Sequence, residues 1–214
     1  MNHASLTIIL HEHRALSAML RSILLLLREH RRRDTLPDFG ALRAMLFYVD
    51  EFPEKLHHPK ESGLLFPKLR GYSADSDAVL DRLDRDHARG EHLIMGLEHA
   101  LLGFEMMGET DQLEPRRATF ESAMHLYVRF YLEHMRIEES EVLPLAERVL
   151  NVEDWAELDS AFLLNRDLLS GFEADAKYGP LFRRIVAALP ASGAVGSVLQ
   201  AFAGAGPPKY AWPP

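Results

Sequence analysis

Two stretches of the chain repeat one arrangement of residues that could bind a metal. Residues 54–70 read EKLHHPKESGLLFPKLR, and residues 131–150 read YLEHMRIEESEVLPLAERVL. Each stretch contains His-x-x-x-Glu and then an apolar pair followed by proline. The histidine and the glutamate are His57 and Glu61 in the first stretch and His134 and Glu138 in the second. Residues four apart lie on one face of an α-helix, so each pair can present an imidazole nitrogen and a carboxylate oxygen to the same metal ion.

The composition limits the kinds of site that the chain can build. It has 214 residues, eleven histidines and no cysteine, so disulfides, iron–sulfur clusters and thiol catalysis are excluded and a metal would be held by nitrogen and oxygen. A net charge of −8 argues against a nucleic-acid interface, which needs a basic surface. The longest dense apolar run, SILLLL at residues 22–27, is too short to cross a bilayer, and the N-terminus lacks the pattern of a signal peptide. We therefore expect a cytoplasmic protein that binds neither nucleic acid nor membrane.

Helical periodicity dominates the chain and predicts an all-α fold. Four long helices are expected at about residues 5–33, 39–70 and 76–107, and from the turn at residues 108–115 to about residue 150. The second should kink or break at Pro53 and Pro59. Because short loops join these helices, we expect an antiparallel four-helix bundle over residues 1–150. Residues 151–189 should add one or two helices, to about residue 169 and at about residues 180–188. The Gly/Ala/Pro-rich residues 190–214 should form an irregular, flexible tail.

Each long helix carries one histidine in the apolar row that would face the bundle core. These histidines are His13, His57, His87 and His134. Glu61 and Glu138 follow two of them by one turn, and His58 borders the same face as Glu61. Burying four imidazoles and two carboxylates without partners would cost several kcal/mol per group. A metal would supply the partner for all of them, and the two mirrored pairs suggest two metals with bridging carboxylates. The alternative is a helical scaffold with satisfied core histidines.

The order of these motifs resembles that of a known family. LHEHRAL, FPEKLHHPKESGLLFPKLR, LDRDHARGEHL and FYLEHMRIEESEVLPLA, spread over about residues 8–150, are similar to the motifs of the hemerythrin-like, or histidine–histidine–glutamate (HHE) cation-binding, proteins. The segment that starts with Asp154 and Trp155 resembles the C-terminal extension of one bacterial subgroup. The resemblance implies a four-helix bundle around a non-haem centre of two irons bridged by the two glutamates. The ligands that it implies are His13, His57, Glu61, His87, His134 and Glu138.

The third helix departs from the pattern of the oxygen-carrying members of this family. Those proteins have His-x-x-x-His there, whereas this chain has His87 and Glu91. One histidine ligand is therefore missing unless His58 or Glu91 takes its place. Fewer histidines would leave open metal positions or add carboxylate ligands, and both suit redox chemistry or sensing as readily as reversible oxygen binding. We interpret Tyr127 and Tyr131 as core aromatics in preference to phenols that assist bound oxygen.

The resemblance implies a di-iron protein that binds or senses O2, NO or peroxide. The alternative is an oxidoreductase that uses the same site to consume peroxide or NO, or a factor for iron storage or repair. The ligand residues do not separate these functions, so enzymatic activity is left open. A homodimer is compatible with the sequence, and no feature of it identifies a redox partner.

Overall fold

The structure is a computed structural model that describes residues 3–165 and 179–188. These residues form six helices and no strand, which confirms the all-α prediction. The helices are α1 (Ala4–Arg32), α2 (residues 39–69), α3 (Ala74–Met106), α4 (residues 113–149), α5 (Val152–Phe162) and α6 (Gly179–Ala188). None of the described helices combines the length and the apolar character needed to cross a membrane. The predicted tail at residues 190–214 lies outside the described residues.

Local sequence signals set the starts of α2 and α3. The Asp38 carboxylate accepts a hydrogen bond from the backbone N–H of Ala41 over 3.0 Å, so Asp38 is the N-cap of α2. Ser73 and Ser76 cap the start of α3 reciprocally, each side chain bonding to the backbone of the other. Between the two helices, Gly71 has a φ of +83°, a conformation that glycine adopts readily because it lacks Cβ. These short turns return each helix against the previous one.

Wide π-helical turns interrupt α2 and α4 near prolines. They cover Asp50–His57 and Glu61–Leu65 in α2 and Glu138–Val142 in α4. Proline lacks a backbone N–H and its ring crowds the carbonyl four residues earlier, so a wider turn accommodates it. Pro67 and Pro144 stand just after two of these turns, at the start of the next α-helical segment. The interruption expected at Pro53 and Pro59 is therefore a widened stretch within one continuous helix.

The four long helices pack around a common interior. Each contacts the next along the chain, and α1 also contacts α4. Arg31, near the end of α1, lies 3.2 Å from Glu121 in the first half of α4. Arg43, near the start of α2, pairs with Glu105 at the end of α3. The end of one helix thus meets the start of its neighbour, and the described residues form a helical bundle.

Two apolar clusters fill this interior. The first includes Leu20, Met45 and Phe104 and reaches α6, which packs on α2. The second includes Ile9 and Phe66, and α5, which packs on α1, adds its own apolar face to it. On each of the four long helices the predicted core histidine lies near the boundary between the two clusters, so the apolar core is divided by a polar layer.

The helix that follows the bundle is shorter than predicted. The sequence indicated a helix to about residue 169, but α5 ends at Phe162. The backbone N–H of Asn165 bonds to the carbonyl of Phe162 over 2.9 Å, and this turn buries the Asn165 side chain. The Asn165 side chain contacts Glu12 on α1, and a local sequence pattern could not indicate this tertiary contact. Residues 166–169 lie outside the described residues, whereas α6 begins and ends within one residue of its predicted bounds.

Candidate metal centre

A layer of buried ionisable side chains lies between the two apolar clusters. On α1, for example, His13 stands between Ile9 of one cluster and Leu16 of the other. The members of the layer, each less than one-tenth exposed, are His13, His57, His58, Glu61, His87, His134 and Glu138. The bundle therefore brings together the six residues identified as candidate ligands and adds His58. Burying so many polar groups is costly unless each of them has a partner.

The π-helical turns help to place the two glutamates in this layer. Glu61 and Glu138 are each the first residue of such a turn, four residues after their histidines. Leu65 and Val142, four residues further on, are also buried. The widened turn thus keeps the histidine, the carboxylate and the apolar residue on the inner side of the helix. Single π-helical turns are frequent at functional sites.

One part of the layer contains three imidazoles, from His58, His87 and His134, and we name it the three-imidazole half. Nε2 of His134 lies 3.1 Å from both Oε1 of Glu138 and Nε2 of His87. Nε2 of His87 lies 3.4 Å from Oε2 of Glu61. One nitrogen or oxygen from each of His58, Glu61, His87 and His134 lies within 4.8 Å of the others. Since metal–ligand bonds to such atoms are about 2 Å long, this spacing suits one ion.

The other part contains two imidazoles, from His13 and His57, and we name it the two-imidazole half. Nε2 of His57 lies 3.0 Å from Oε1 of Glu61. Nε2 of His13 lies 3.3 Å from Oε2 of Glu138. His13, His57 and Glu61 also offer one atom each within 4.8 Å of the others. This half could hold a second ion with fewer protein ligands than the first.

Each of the two glutamates faces both halves. Glu61 directs Oε1 toward His57 and Oε2 toward His87. Glu138 directs Oε2 toward His13 and Oε1 toward His134. The two carboxylates therefore stand between the two groups of imidazoles, where each could bridge a pair of metal ions through its two oxygens.

The hydrogen bonding of these atoms fits metal ligands. Both carboxylate oxygens of Glu61 and of Glu138, together with Nε2 of His57, are buried and lack a hydrogen-bond partner among the described residues. The 3.0 Å approach of His57 to Glu61 is short but does not have hydrogen-bond geometry. Imidazole nitrogen and carboxylate oxygen together suit iron among the metals that proteins bind. The residues present thus fit the metal that the sequence implies, and a bound cation would satisfy the unpaired atoms.

Hydrogen bonds at Nδ1 orient the imidazoles of the two-imidazole half. Nδ1 of His57 donates to Oε2 of Glu12 over 2.6 Å, and Nδ1 of His13 donates to Oε1 of Glu139 over 3.0 Å. Asn165 also donates to Oε2 of Glu12, over 3.1 Å. A proton fixed on Nδ1 leaves Nε2 with its lone pair toward the centre, which is how metal-binding histidines are usually held.

Two imidazoles of the three-imidazole half are supported in the same way, whereas Nδ1 of His134 lies 3.8 Å from Asp86 and has no hydrogen-bond partner among the described residues. Ser62 donates its hydroxyl to Asp84 over 2.6 Å, so its oxygen accepts from Nδ1 of His87, 2.8 Å away. Nδ1 of His58 donates to Oε2 of Glu54 over 3.1 Å. The His58 ring is therefore oriented as a ligand would be.

Glu54 is the centre of a buried network beside His58. Its Oε1 accepts hydrogen bonds from the phenol of Tyr127, over 2.9 Å, and from the phenol of Tyr131. Burial raises the pKa of Glu54, and these two phenols act in the opposite direction. Gly90 permits the network, since a Cβ there would lie 2.8 Å from Cζ of Tyr131 and 3.0 Å from Oε1 of Glu54. The tyrosines are buried core aromatics, as interpreted, and their hydroxyls also hold Glu54.

The charges of the centre shift the pKa values of its imidazoles. Burial alone would lower the pKa of His134, but the carboxylates of Glu138, Asp86 and Glu61 together outweigh it and raise the pKa to about 10. Burial is outweighed at His57 too, where Glu61 helps to raise the pKa well above its ordinary value. For His58, burial and the neighbouring histidines lower the pKa well below its ordinary value. The centre therefore favours positive charge, and His58 is held in the neutral form that binds metals.

Of the two substitutes proposed for the missing histidine, the structure brings only one into the layer. His58 joins the three-imidazole half, whereas Glu91 is exposed on α3 and outside both groups. Sequence reasoning did not identify Glu12, Glu54 or Asn165. Glu54 precedes His58 by four residues, a spacing that could have revealed the pair. Glu12 and Asn165 come together only through tertiary packing.

A small cavity adjoins the two-imidazole half. His13, His57 and Asn165 line it together with Glu12 and His58. Its other walls are apolar and aromatic, including Leu16 and Phe52. It offers about 10 Å³ to the centre of a water-sized sphere, which is the room needed by about one water molecule. A molecule of a few atoms could reach the centre from this side, but a larger one could not enter without movement of the walls.

Comparison with known proteins identifies one family. The model of the hemerythrin HHE cation-binding domain matches residues 4–146, which include all the histidines and glutamates of both halves. Searches of curated proteins and of solved structures found no significant match. The matched region is about two-thirds of the chain and contains α1 to α4 up to the last turn. The chain therefore belongs to the hemerythrin HHE cation-binding domain family.

Proposed function

We propose that the chain binds two iron ions in this centre and uses them to bind or sense O2, NO or peroxide. The observation that carries the proposal is the placement of Glu61 and Glu138, each with one oxygen toward each half. One metal ion would use only half of these atoms. Two ions would use all of them, and two bridging carboxylates would hold the ions close together.

The two-imidazole half is the proposed position of the small ligand. His13 and His57 supply one imidazole fewer than the other half, so an ion there would keep more open positions. The small cavity also reaches the centre on this side. When bound, the iron pair would supply redox-active metal with open coordination positions. The protein supplies oriented imidazoles, fixed carboxylates and an apolar surround that limits the access of water.

At the two-imidazole half, the size of the cavity supports small-molecule binding over chemistry on a larger organic substrate. An oxidoreductase that consumes peroxide or NO uses ligands of the same size and remains the alternative. Iron storage or repair would need iron to leave the centre readily, and the burial of both glutamates argues against a labile site. Catalytic turnover of peroxide or NO would therefore distinguish the oxidoreductase, and rapid release of iron would distinguish the storage or repair factor.

Metal content and ligand titration test the proposal. We expect full-length protein purified without oxygen to contain about two irons per chain and to give a saturable optical change with NO. A His57→Leu variant should lose iron, whereas His125→Leu, which alters an exposed histidine on α4, should retain it. Turnover of peroxide or NO through many cycles would favour the oxidoreductase, and rapid iron loss to a chelator would favour storage. Folded protein unable to take up iron would contradict all three.

A further inference from the structure

The turn that follows α5 places a buried amide beside the two-imidazole half. Phe162, the last residue of α5, packs edge-on against the His57 ring with the centroids 5.8 Å apart. Asn165 follows three residues later and is 2% exposed. Both residues lie beyond residues 4–146, which match the family model. The wall over this half is therefore built in part by a segment outside the family domain.

The contacts of Asn165 fix which way its amide points. Its Nδ2 donates to Oε2 of Glu12 over 3.1 Å, and the same oxygen accepts from Nδ1 of His57. A carboxylate can only accept, so the NH2 group of Asn165 must face Glu12 and Oδ1 must face elsewhere. Oδ1 is buried and has no hydrogen-bond donor among the described residues. A buried acceptor without a donor is costly, so this atom calls for a partner.

Asn165 shares the small cavity with the candidate ligands His13 and His57. The Nδ1 atoms of both histidines are already paired, with Glu139 and Glu12. Asn165 lines the cavity, and its Oδ1 is a polar atom without a partner among the described residues. A molecule that enters the cavity must be small, because the cavity has room for about one water molecule.

We propose that Asn165 selects for a small ligand that can donate a hydrogen bond, with hydrogen peroxide favoured over O2 and NO. The inference rests on the proposed di-iron function and narrows its ligand class. Hydrogen peroxide carries two O–H donors, so it can satisfy Oδ1 while its other oxygen faces the two-imidazole half. O2 and NO have no hydrogen and would leave the buried acceptor unpaired. A site built to hydrogen-bond its ligand discriminates against an analogue that lacks the matching group.

The test compares two ligands in the wild type and in three variants of the full-length, iron-loaded protein. In Asn165→Leu, we expect the second-order rate constant for reaction with hydrogen peroxide to fall about 10-fold, as for the loss of one hydrogen bond to a buried acceptor. The dissociation constant for NO should stay the same or fall. Asn165→Gln keeps both an NH2 donor for Glu12 and an acceptor oxygen, and it should recover most of the peroxide rate. Leu164→Ala, at an exposed neighbouring position, is the control and should change neither value.

A second readout does not depend on reactivity. In crystals of the zinc-loaded wild-type protein, a water molecule should occupy the cavity within hydrogen-bonding distance of Oδ1, and Asn165→Leu crystals should lack it. Absence of that water from the wild type would overturn the inference. So would an Asn165→Leu protein that keeps both irons and shows equal changes, or no change, toward peroxide and NO; the di-iron function would then stand. A wild-type chain that takes up no iron would overturn the function and the inference together.

Discussion

The two halves of the centre share their carboxylates but differ in almost everything else. The three-imidazole half includes His58 and is supported by Glu54 and the two tyrosines, all within the bundle. The two-imidazole half is bordered by a cavity and is supported by Glu12, which the segment after α5 contacts through Asn165. An open groove lined by Glu54, His58 and His87 adjoins the three-imidazole half. The comparison teaches that this half supplies more protein ligands, whereas the two-imidazole half leaves more metal positions open. In a two-metal site, the ion in the three-imidazole half would be held by more protein ligands. The ion in the two-imidazole half would bind the small ligand.

The largest effect should come from removing a carboxylate that both halves use. Glu61→Ala deletes an oxygen from each half and leaves His57 and His87 facing a gap, so we expect iron content to fall from about two per chain to near zero. Iron analysis of protein purified without oxygen measures it. Glu91→Ala, at an exposed position on α3, should keep both irons. A Glu61→Ala protein with two tightly bound irons would show that the carboxylate does not join the halves.

Single histidine changes should separate the halves. His13→Leu affects the two-imidazole half, so we expect it to retain about one iron and to lose the response to NO. The corresponding change in the three-imidazole half, His134→Leu, removes a ligand there and should also lower iron content. Its remaining iron should be held at least about 10-fold more weakly than in His13→Leu, because fewer imidazoles hold it. Chelator competition gives the two affinities. Equal iron loss and equal NO response in both variants would contradict the division.

A smaller effect is expected from closing the space beside Glu54. In Gly90→Ala the new Cβ would meet Tyr131 and Glu54, so the metal-free protein should lose about 1–3 kcal/mol of unfolding free energy. Gly96→Ala on the same helix is the matched control. It meets no heavy atom within 4 Å and should gain about 0.5–1 kcal/mol from helix propensity. Urea unfolding measures both. If both variants became more stable, the network beside the three-imidazole half would not be packed as described.

The smallest effect concerns protons released on metal binding. In the metal-free protein, the carboxylates of Glu138, Asp86 and Glu61 together outweigh burial and raise the pKa of His134 to about 10, so the imidazole is protonated at pH 8. A metal needs the neutral ring, and binding should therefore release about one proton or more per chain at pH 8. Release should decline as the pH rises through about 10, where the proton is already lost. Weakly buffered indicator titration follows it. Metal uptake at pH 8 without proton release would contradict the charge state of this half.

Much of the fold and most of the centre could be predicted from the sequence. The starts of α2 and α3, at Asp38 and Ser73, follow from local capping. The core histidines follow from the apolar rows in which they lie. Glu61 and Glu138 were identified because their spacing from a histidine places both on one helix face. Periodicity is informative here because each long helix buries one row of side chains, and that row faces the narrow interior of the bundle.

The rest of the centre depends on contacts between distant parts of the chain. Asn165 meets Glu12 across more than 150 residues, and only the folded chain shows that α5 ends early to bring it there. Glu54 lies one helical turn before His58, but its role follows from two phenols on α4 and a glycine on α3. The supporting residues are set by tertiary packing, which no local pattern in one sequence records.

The most direct measurement is Mössbauer spectroscopy of the full-length protein loaded with isotopically enriched iron. The central claim is that two unlike iron ions share Glu61 and Glu138. It predicts two iron environments of equal area, with magnetic coupling between the ions and about two irons per chain. A single environment, or two irons without coupling, would contradict a carboxylate-bridged pair with unequal halves.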